Sequence, residues 1–217
     1  MDAAELESVL GPRDVVVVEG GDAESYLHSQ LSQSVTGMDV GEQRWTFVLQ
    51  PTGKIDVLAR LTRADDARFE LDTDAGFGDE LLARLERFKI RVDATLTLQA
   101  ADGAAEADEA ARIAIGWPRM GAEIVAGDTI PAGTGLTKLA VDFTKGCYPG
   151  QELVERMDSR AAEAPKSLRR LTVAEGTSAG DPIVDGDQEV GTVTSVSGTV
   201  ALGWVKRSSD LGDVVQF

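Results

Sequence analysis

The densest chemistry in the sequence lies at Lys145-Gly146-Cys147-Tyr148-Pro149-Gly150-Gln151-Glu152, which sets the only cysteine of the chain among two glycines, a lysine and a glutamate. A thiol flanked by glycines stands where backbone can approach a ligand closely. The Pro-Gly pair ahead of Gln-Glu-Leu-Val-Glu-Arg-Met reads as a tight turn into a short helix. Cys147 is then expected just before a helix N-terminus and beside Lys145. Both the helix dipole and the ammonium favour thiolate over thiol. The plain alternative is a small buried apolar cysteine without chemistry. A second candidate, Asp56, sits early in the strand-like run Ile55-Asp56-Val57-Leu58-Ala59. An acid there is either placed at a site or faces outward, and taken alone the outward position is expected. His28 has no second histidine or cysteine near it, so it is read as structural or solvent-facing, with no metal site.

Composition limits what such groups can serve. The chain has 217 residues, 42% of them hydrophobic, enough for one sizeable core or a core with a small appendage. One cysteine excludes an internal disulfide framework, and Met1-Asp2-Ala3-Ala4-Glu5-Leu6-Glu7 has neither a basic nor an apolar leader region, so a cytoplasmic location is expected. No apolar run approaches the roughly eighteen residues of a membrane span; Val15-Val16-Val17-Val18 is a buried strand. Acidic residues outnumber basic ones 37 to 21, for a net charge of -16. Direct nucleic-acid binding, which relies on basic surface to release counterions, is disfavoured. The acids are scattered without a block, which reads as a solvated acidic surface suited to a salt-rich interior.

The elements that must position these groups follow from pattern. Arg13 to Glu19 reads as a strand, and Gly20-Gly21-Asp22 leads into a helix through Ala23, Tyr26, Leu27 and Leu31. Arg44 to Leu49 and Lys54 to Leu61 alternate around Gln50-Pro51-Thr52-Gly53, a hairpin signature. Arg68 to Leu71 is a further strand. Gly76 to Phe88 is the clearest helix, with Leu81, Leu82, Leu85 and Phe88 on one face, and Ile90 to Leu98 returns as a strand. The succession predicts an α+β layer, helices covering one side of a largely antiparallel sheet. Gln99 to Ala110 is a polar linker or helix start, Gly116 to Thr144 is rich in glycine and proline with sparse regular structure, and Ser159 to Lys166 is another linker. Five short strands then follow, Leu168 to Val173, Pro182 to Val184, Glu189 to Ser195, Thr199 to Val205 and Val214 to Phe217. They predict a small C-terminal β-barrel over 166–217 after a core over 1–165.

The cysteine segment resembles the K-G-C-Y-x-G-Q-E signature of the YgfZ family, folate-binding proteins related to the aminomethyltransferase (T-protein) of the glycine cleavage system. Arg112-Ile113-Ala114-Ile115-Gly116-Trp117-Pro118-Arg119-Met120-Gly121 is similar to the family's R-I-x-x-G-x-P-x-x-G. Gly21-Asp22-Ala23, Gln50-Pro51-Thr52-Gly53-Lys54-Ile55-Asp56 and Gly191-Thr192-Val193-Thr194-Ser195 resemble further family segments, in order. The chain departs from the family between Leu98 and Arg112, where Gln99 to Ala111 replaces a longer stretch and the middle subdomain is shortened.

The resemblance implies an α+β core and a small C-terminal barrel around a central hole, which the cysteine loop faces and where tetrahydrofolate would sit. It implies a role in iron-sulfur cluster assembly or repair, including enzymes that thiomethylate transfer RNA, with iron-sulfur enzymes as partners and Cys147 as the working group. Lys145 would assist the thiol, and Gly146 and Gly150 would let the loop take its shape. Tyr148, Gly150, Gln151 and Glu152 would hold the ligand or the loop, Glu152 doubling as a helix cap. Arg112 would meet the glutamate tail of folate or, more simply, a nearby acid. A second reading is a true aminomethyltransferase that transfers a methylene unit to tetrahydrofolate through Asp56. A third is a non-catalytic scaffold of the same fold.

Overall fold

The computed structural model describes residues 3–103, 107–159 and 164–217, so the linkers expected at Gln99 to Ala110 and Ser159 to Lys166 fall partly outside the described residues. The chain runs through α1 (Ala3–Val9), β1 (Arg13–Glu19), α2 (Ala23–Gln30), β2 (Gln43–Leu49), β3 (Ile55–Asp65), β4 (Arg68–Asp74), α3 (Gly78–Phe88) and β5 (Thr95–Gln99). These strands form one sheet in the order β2-β3-β4-β1-β5, with every neighbouring pair antiparallel. β1 lies between β4 and β5, and Val16, Val17 and Val18 are all buried there. An interior strand covered on both faces explains why the valine run is continuous instead of alternating.

The two faces of this sheet have different covers. On one, Val16, Val18, Phe69 and Leu71 meet Leu27 of α2 and Leu81 and Leu85 of α3. Trp45, Phe47 and Leu49 alternate away from Val48 along β2 and meet Trp117, Met120, Ile124, Leu136, Tyr148 and Val154 on the other. The second cover comes from α4 (Glu109–Ile115), a 3-10 turn (Pro131–Gly133), α5 (Thr137–Ala140), α6 (Gln151–Ser159) and the irregular chain between them. The glycine- and proline-rich stretch is thus short of regular structure, as its composition indicates, yet it supplies half a core. Each fully buried Phe, Leu or Ile there contributes roughly 1.5–3 kcal/mol.

The last part of the chain forms β6 (Lys166–Thr172), β7 (Pro182–Asp185), β8 (Gln188–Ser197), β9 (Val200–Lys206) and β10 (Asp213–Val214). Here the expected barrel gives way to an open antiparallel sheet in the order β10-β6-β9-β8-β7, whose ends do not pair with each other. Closure needs edge strands long enough to tilt and meet. β7 has four residues and β10 only two, so the edges cannot span the gap. A hollow of about 870 Å³ opens between them, beside Leu171, Ile183, Val193 and Asp213, and Cys147 does not line it. The strand expected at Val214 to Phe217 ends after Val214 because Val215 turns inward onto Ile113, Leu168 and Leu202. Phe217 then stacks edge-on against Trp117, with ring centroids 5.1 Å apart. Among the described residues no helix is long and apolar enough to cross a membrane.

Candidate functional site

The cysteine loop is held from three directions. Upstream, Asp142 accepts from the backbone N and the hydroxyl of Thr144 at 2.8 and 2.6 Å, a local turn that aims the next residue inward. Lys145 then donates from its ammonium to the carbonyl oxygens of His28, Leu31 and Gln33. His28 lies in the last turn of α2 and Leu31 is its C-cap, so the ammonium satisfies carbonyls that the helix leaves unpaired at its negative end. Burial lowers the Lys145 pKa to about 8, with Asp142 opposing the shift. The ammonium also stands 5.0 Å from the centroid of the Tyr148 ring. The expectation that Lys145 serves the thiol directly therefore changes: its charge is spent on the end of α2, and it anchors the loop.

The second hold is a contact of backbone on backbone. Gly150 adopts φ +83°, and a Cβ there would stand 2.5 Å from the carbonyl oxygen of Gln50 and 2.9 Å from the Cα of Gly53. Gly53 itself turns at φ +84° and leaves no room against Leu153 of α6. The loop is thus seated on the β2–β3 turn, and Gly150 is required for its shape. Gly146 is not: a Cβ there would meet open space, and its φ is not positive. The third hold is local, the backbone N of Tyr148 donating to Gln151 Oε1 at 3.3 Å while the Gln151 amide reaches Glu155. Gln151, and not Glu152, closes the loop onto the helix start; Glu152 lies exposed.

Cys147 is exposed on this platform, four positions ahead of the first residue of α6. It opens on a recess of about 380 Å³ lined by Pro51, Tyr148, Gln151, Glu152 and Glu155. Tyr148 is only 7% exposed, and its hydroxyl has no hydrogen-bond partner among the described residues. Burial, with the charges of Glu155 and Asp142, pushes its pKa up to about 12.

Asp56 departs from the outward position expected of it, being only 8% exposed. Val48 pairs with Val57 and Leu49 with Ile55, so Asp56 is the extra residue of a β-bulge, and such a residue is re-aimed. Its carboxylate lies 3.3 Å from Arg84 Nε, and Arg84 Nη2 donates to the carbonyl of Leu49 at 2.7 Å. The guanidinium stacks 4.1 Å over the Phe88 ring. Its Nε and Nη1 are buried without a hydrogen bond among the described residues, and burial lowers its pKa against the pull of Asp56. Glu80 completes this group, its pKa raised by burial and by the Asp56 charge. Asp56 and Cys147 thus flank one turn, Gln50 to Gly53, but Asp56 does not line the recess that Cys147 opens on.

Arg112 is committed to acceptors within the protein. It is 1% exposed, and its five N–H groups have five acceptors: both Glu109 oxygens, Glu123 Oε2, the Trp117 carbonyl and Ser195 Oγ. Of the partners offered by the sequence, the nearby acid is the one found. Glu123 carries no sequence signal yet is fully buried, joining Arg112 of α4 to Thr194 and Ser195 of β8, while its carbonyl accepts from the Trp204 indole. Arg112 and Glu123 bind the two sheets together. His28 is structural, its Nδ1 accepting from the backbone N of Val35 at 3.3 Å, and burial and Lys145 lower its pKa. Among the described residues no three His, Cys, Asp or Glu side chains gather as a metal site.

No family model matches the sequence. Among curated proteins, an uncharacterized protein of Haemophilus influenzae is 24% identical, across 68% of this chain and 67% of its own length. Among solved structures, the glycine cleavage system aminomethyltransferase T from Bartonella henselae superposes with a TM-score of 0.79 at 18% identity, covering 94% of this chain and 81% of that one. At such identity the likeness is one of fold: this chain is a mixed α/β protein with two antiparallel sheets, built like an aminomethyltransferase T.

Proposed function

We propose that this chain is a folate-binding protein of the YgfZ type, supporting iron-sulfur cluster assembly or repair through Cys147, with a core over 1–165 and a C-terminal unit over 166–217. The observation that carries the reading is the exposed Cys147 on a loop fixed by Lys145 and by the Gly150–Gly53 contact, opening on a recess. A rigid base under an accessible thiol is what a group that must meet a partner's iron or sulfur requires, since thiolate is a soft ligand for iron and a nucleophile toward sulfur. One cysteine gives one of the ligands a cluster takes, so the iron-sulfur enzyme as partner supplies the rest.

The recess suits the pterin end of tetrahydrofolate in size and chemistry. Its volume, about 380 Å³, falls in the range of small-ligand pockets. Pro51 and Tyr148 offer apolar wall, and the carboxylates of Glu152 and Glu155 offer acceptors for ring N–H groups. Bound there, tetrahydrofolate would supply secondary amines that carry a one-carbon unit. Gly150 and Gln151 would hold the loop under it, and Arg112 would give it no donor.

The alternative, an aminomethyltransferase acting through Asp56, is favoured by one observation: the β-bulge that aims Asp56 at Arg84 within a fold shared with an aminomethyltransferase T. Methylene transfer from an aminomethyl-loaded carrier protein to tetrahydrofolate separates the two readings. The YgfZ-type reading expects no turnover from the parent protein together with saturable tetrahydrofolate binding by calorimetry. Turnover that vanishes in Asp56→Asn would establish the alternative, and no binding at millimolar ligand would leave the scaffold.

A further inference from the structure

The connection between α3 and β5 breaks three habits of this protein's surface in adjacent residues. Ile90 is 75% exposed, more than the other large apolar side chains at the surface. Arg91 holds φ +57° and is the one non-glycine residue in the left-handed region among the described residues, a strained backbone that glycine would adopt freely. Arg87 and Arg91, on either side of Ile90, make no ion pair among the described residues, although the chain carries 37 acids.

This knuckle is fixed at its foot. Lys89 donates to Glu86 Oε1 at 3.1 Å and to the Ala94 carbonyl at 3.0 Å. Asp93 exchanges bonds with Asp22, accepting from its backbone N at 3.0 Å and donating to Oδ2 at 2.8 Å. Gly20 sits so close that a Cβ would stand 2.3 Å from the Asp93 carbonyl oxygen. Ile90 and Arg91 are therefore presented by a rigid support, which lowers the entropy cost of binding.

The knuckle leads directly into β5, which is the end strand of its sheet and pairs only with β1 among the described residues. Thr95-Leu96-Thr97-Leu98-Gln99 carries no charge and no proline, the usual guards of a free edge. We propose that this edge takes an extended, acidic segment of another polypeptide, which adds to β5 through its main chain, sets carboxylates on Arg87 and Arg91 and packs an apolar residue on Ile90. The outward N–H and C=O groups of β5 favour a peptide over nucleic acid or a lipid surface, since neither of those uses them. The net charge of -16 opposes any acidic partner at long range, but screening within about 8 Å leaves the local arginines to decide.

The test is fluorescence anisotropy with a short fluorescein-labelled peptide of alternating glutamate and valine, titrated with the full chain at physiological salt. Saturable binding is expected, weakened at least about tenfold by Arg87→Glu/Arg91→Glu and several-fold by Ile90→Ser, an effect of rim charges and a central apolar contact. A backbone N-methylated version of the peptide should lose binding. Arg91→Gly should weaken binding while melting at or above the parent temperature, which separates recognition from stability. Failure to saturate, indifference to these variants, or equal binding of the N-methylated peptide would overturn the proposal. Tighter binding of oligothymidylate or of phosphatidylserine vesicles, lost in the same arginine variants, would reassign the surface and overturn it equally.

Discussion

Gly150 and Gly53 meet backbone to backbone, with 2.9 Å between the Cα of Gly53 and the point a Cβ of Gly150 would occupy. Both hold positive φ, so neither the conformation nor the space allows a side chain. Gly150→Ala should destabilise the fold by about 2–3 kcal/mol, as strain and a backbone clash add. Its melting temperature should fall by roughly 5–10 °C. Gly146→Ala, facing open space, should stay within about 0.5 kcal/mol of the parent. Thermal melts of the two variants check the contrast, and equal losses would show that the loop is not seated on the β2–β3 turn.

The anchor of that loop should be visible in pH dependence. The Lys145 pKa is about 8 in the folded chain and is lowered from 10.5. Between those values the unfolded chain binds more protons than the folded one, so stability contributed by this group rises with pH there. Below pH 8 both states hold the proton and the contribution is constant. The melting temperature of the parent relative to Lys145→Met should therefore climb from pH 8 towards pH 10. A flat difference across that window would mean that the ammonium is not buried on the carbonyls of His28, Leu31 and Gln33.

Asp56 and Arg84 form a buried pair whose halves depend on each other. Asp56→Asn leaves the guanidinium uncompensated, and Arg84→Met does the same to the carboxylate, so each should cost about 3 kcal/mol. The double variant should lose less than the sum of the two. Urea unfolding of the four proteins gives the coupling energy, and strict additivity would contradict the pairing.

The Tyr148 hydroxyl is buried without a hydrogen-bond partner among the described residues. Tyr148→Phe removes a desolvated group and should be neutral or stabilising by up to about 1 kcal/mol. The hydroxyl has almost no accessible surface, so tetrahydrofolate in the recess should bind Tyr148→Phe as tightly as the parent. Calorimetry and a melt on one preparation read both.

Much of the framework was legible because it follows from local pattern. The hairpin around Gln50-Pro51-Thr52-Gly53, the valine run of β1 and the amphipathic α3 each declare themselves within one element. What escaped depends on partners distant in sequence. Asp56 looked outward because a bulge is a property of the pair β2–β3, not of β3. In sequence Lys145 reads as a companion to the thiol because its carbonyl partners, 112 to 117 residues away, carry no side-chain signature. Glu123 lies in a stretch without periodicity, and its meaning comes from Arg112 and Ser195, 11 and 72 residues from it. Strand count in the last fifty residues was readable, whereas closure turned on the length of two edge strands. Gly150 was marked by its place in the Pro-Gly turn, but only packing separates it from Gly146.

The central claim is that Cys147 is the working group of the protein. Its most direct test is the activity of an iron-sulfur enzyme in cells lacking the native gene, restored by the parent chain, by Cys147→Ala or by Asp56→Asn, at matched protein levels. Cys147 is exposed, so its truncation should leave the fold intact. Cys147→Ala is expected to fail to restore the activity while folded Asp56→Asn succeeds. Full restoration by Cys147→Ala would contradict the claim.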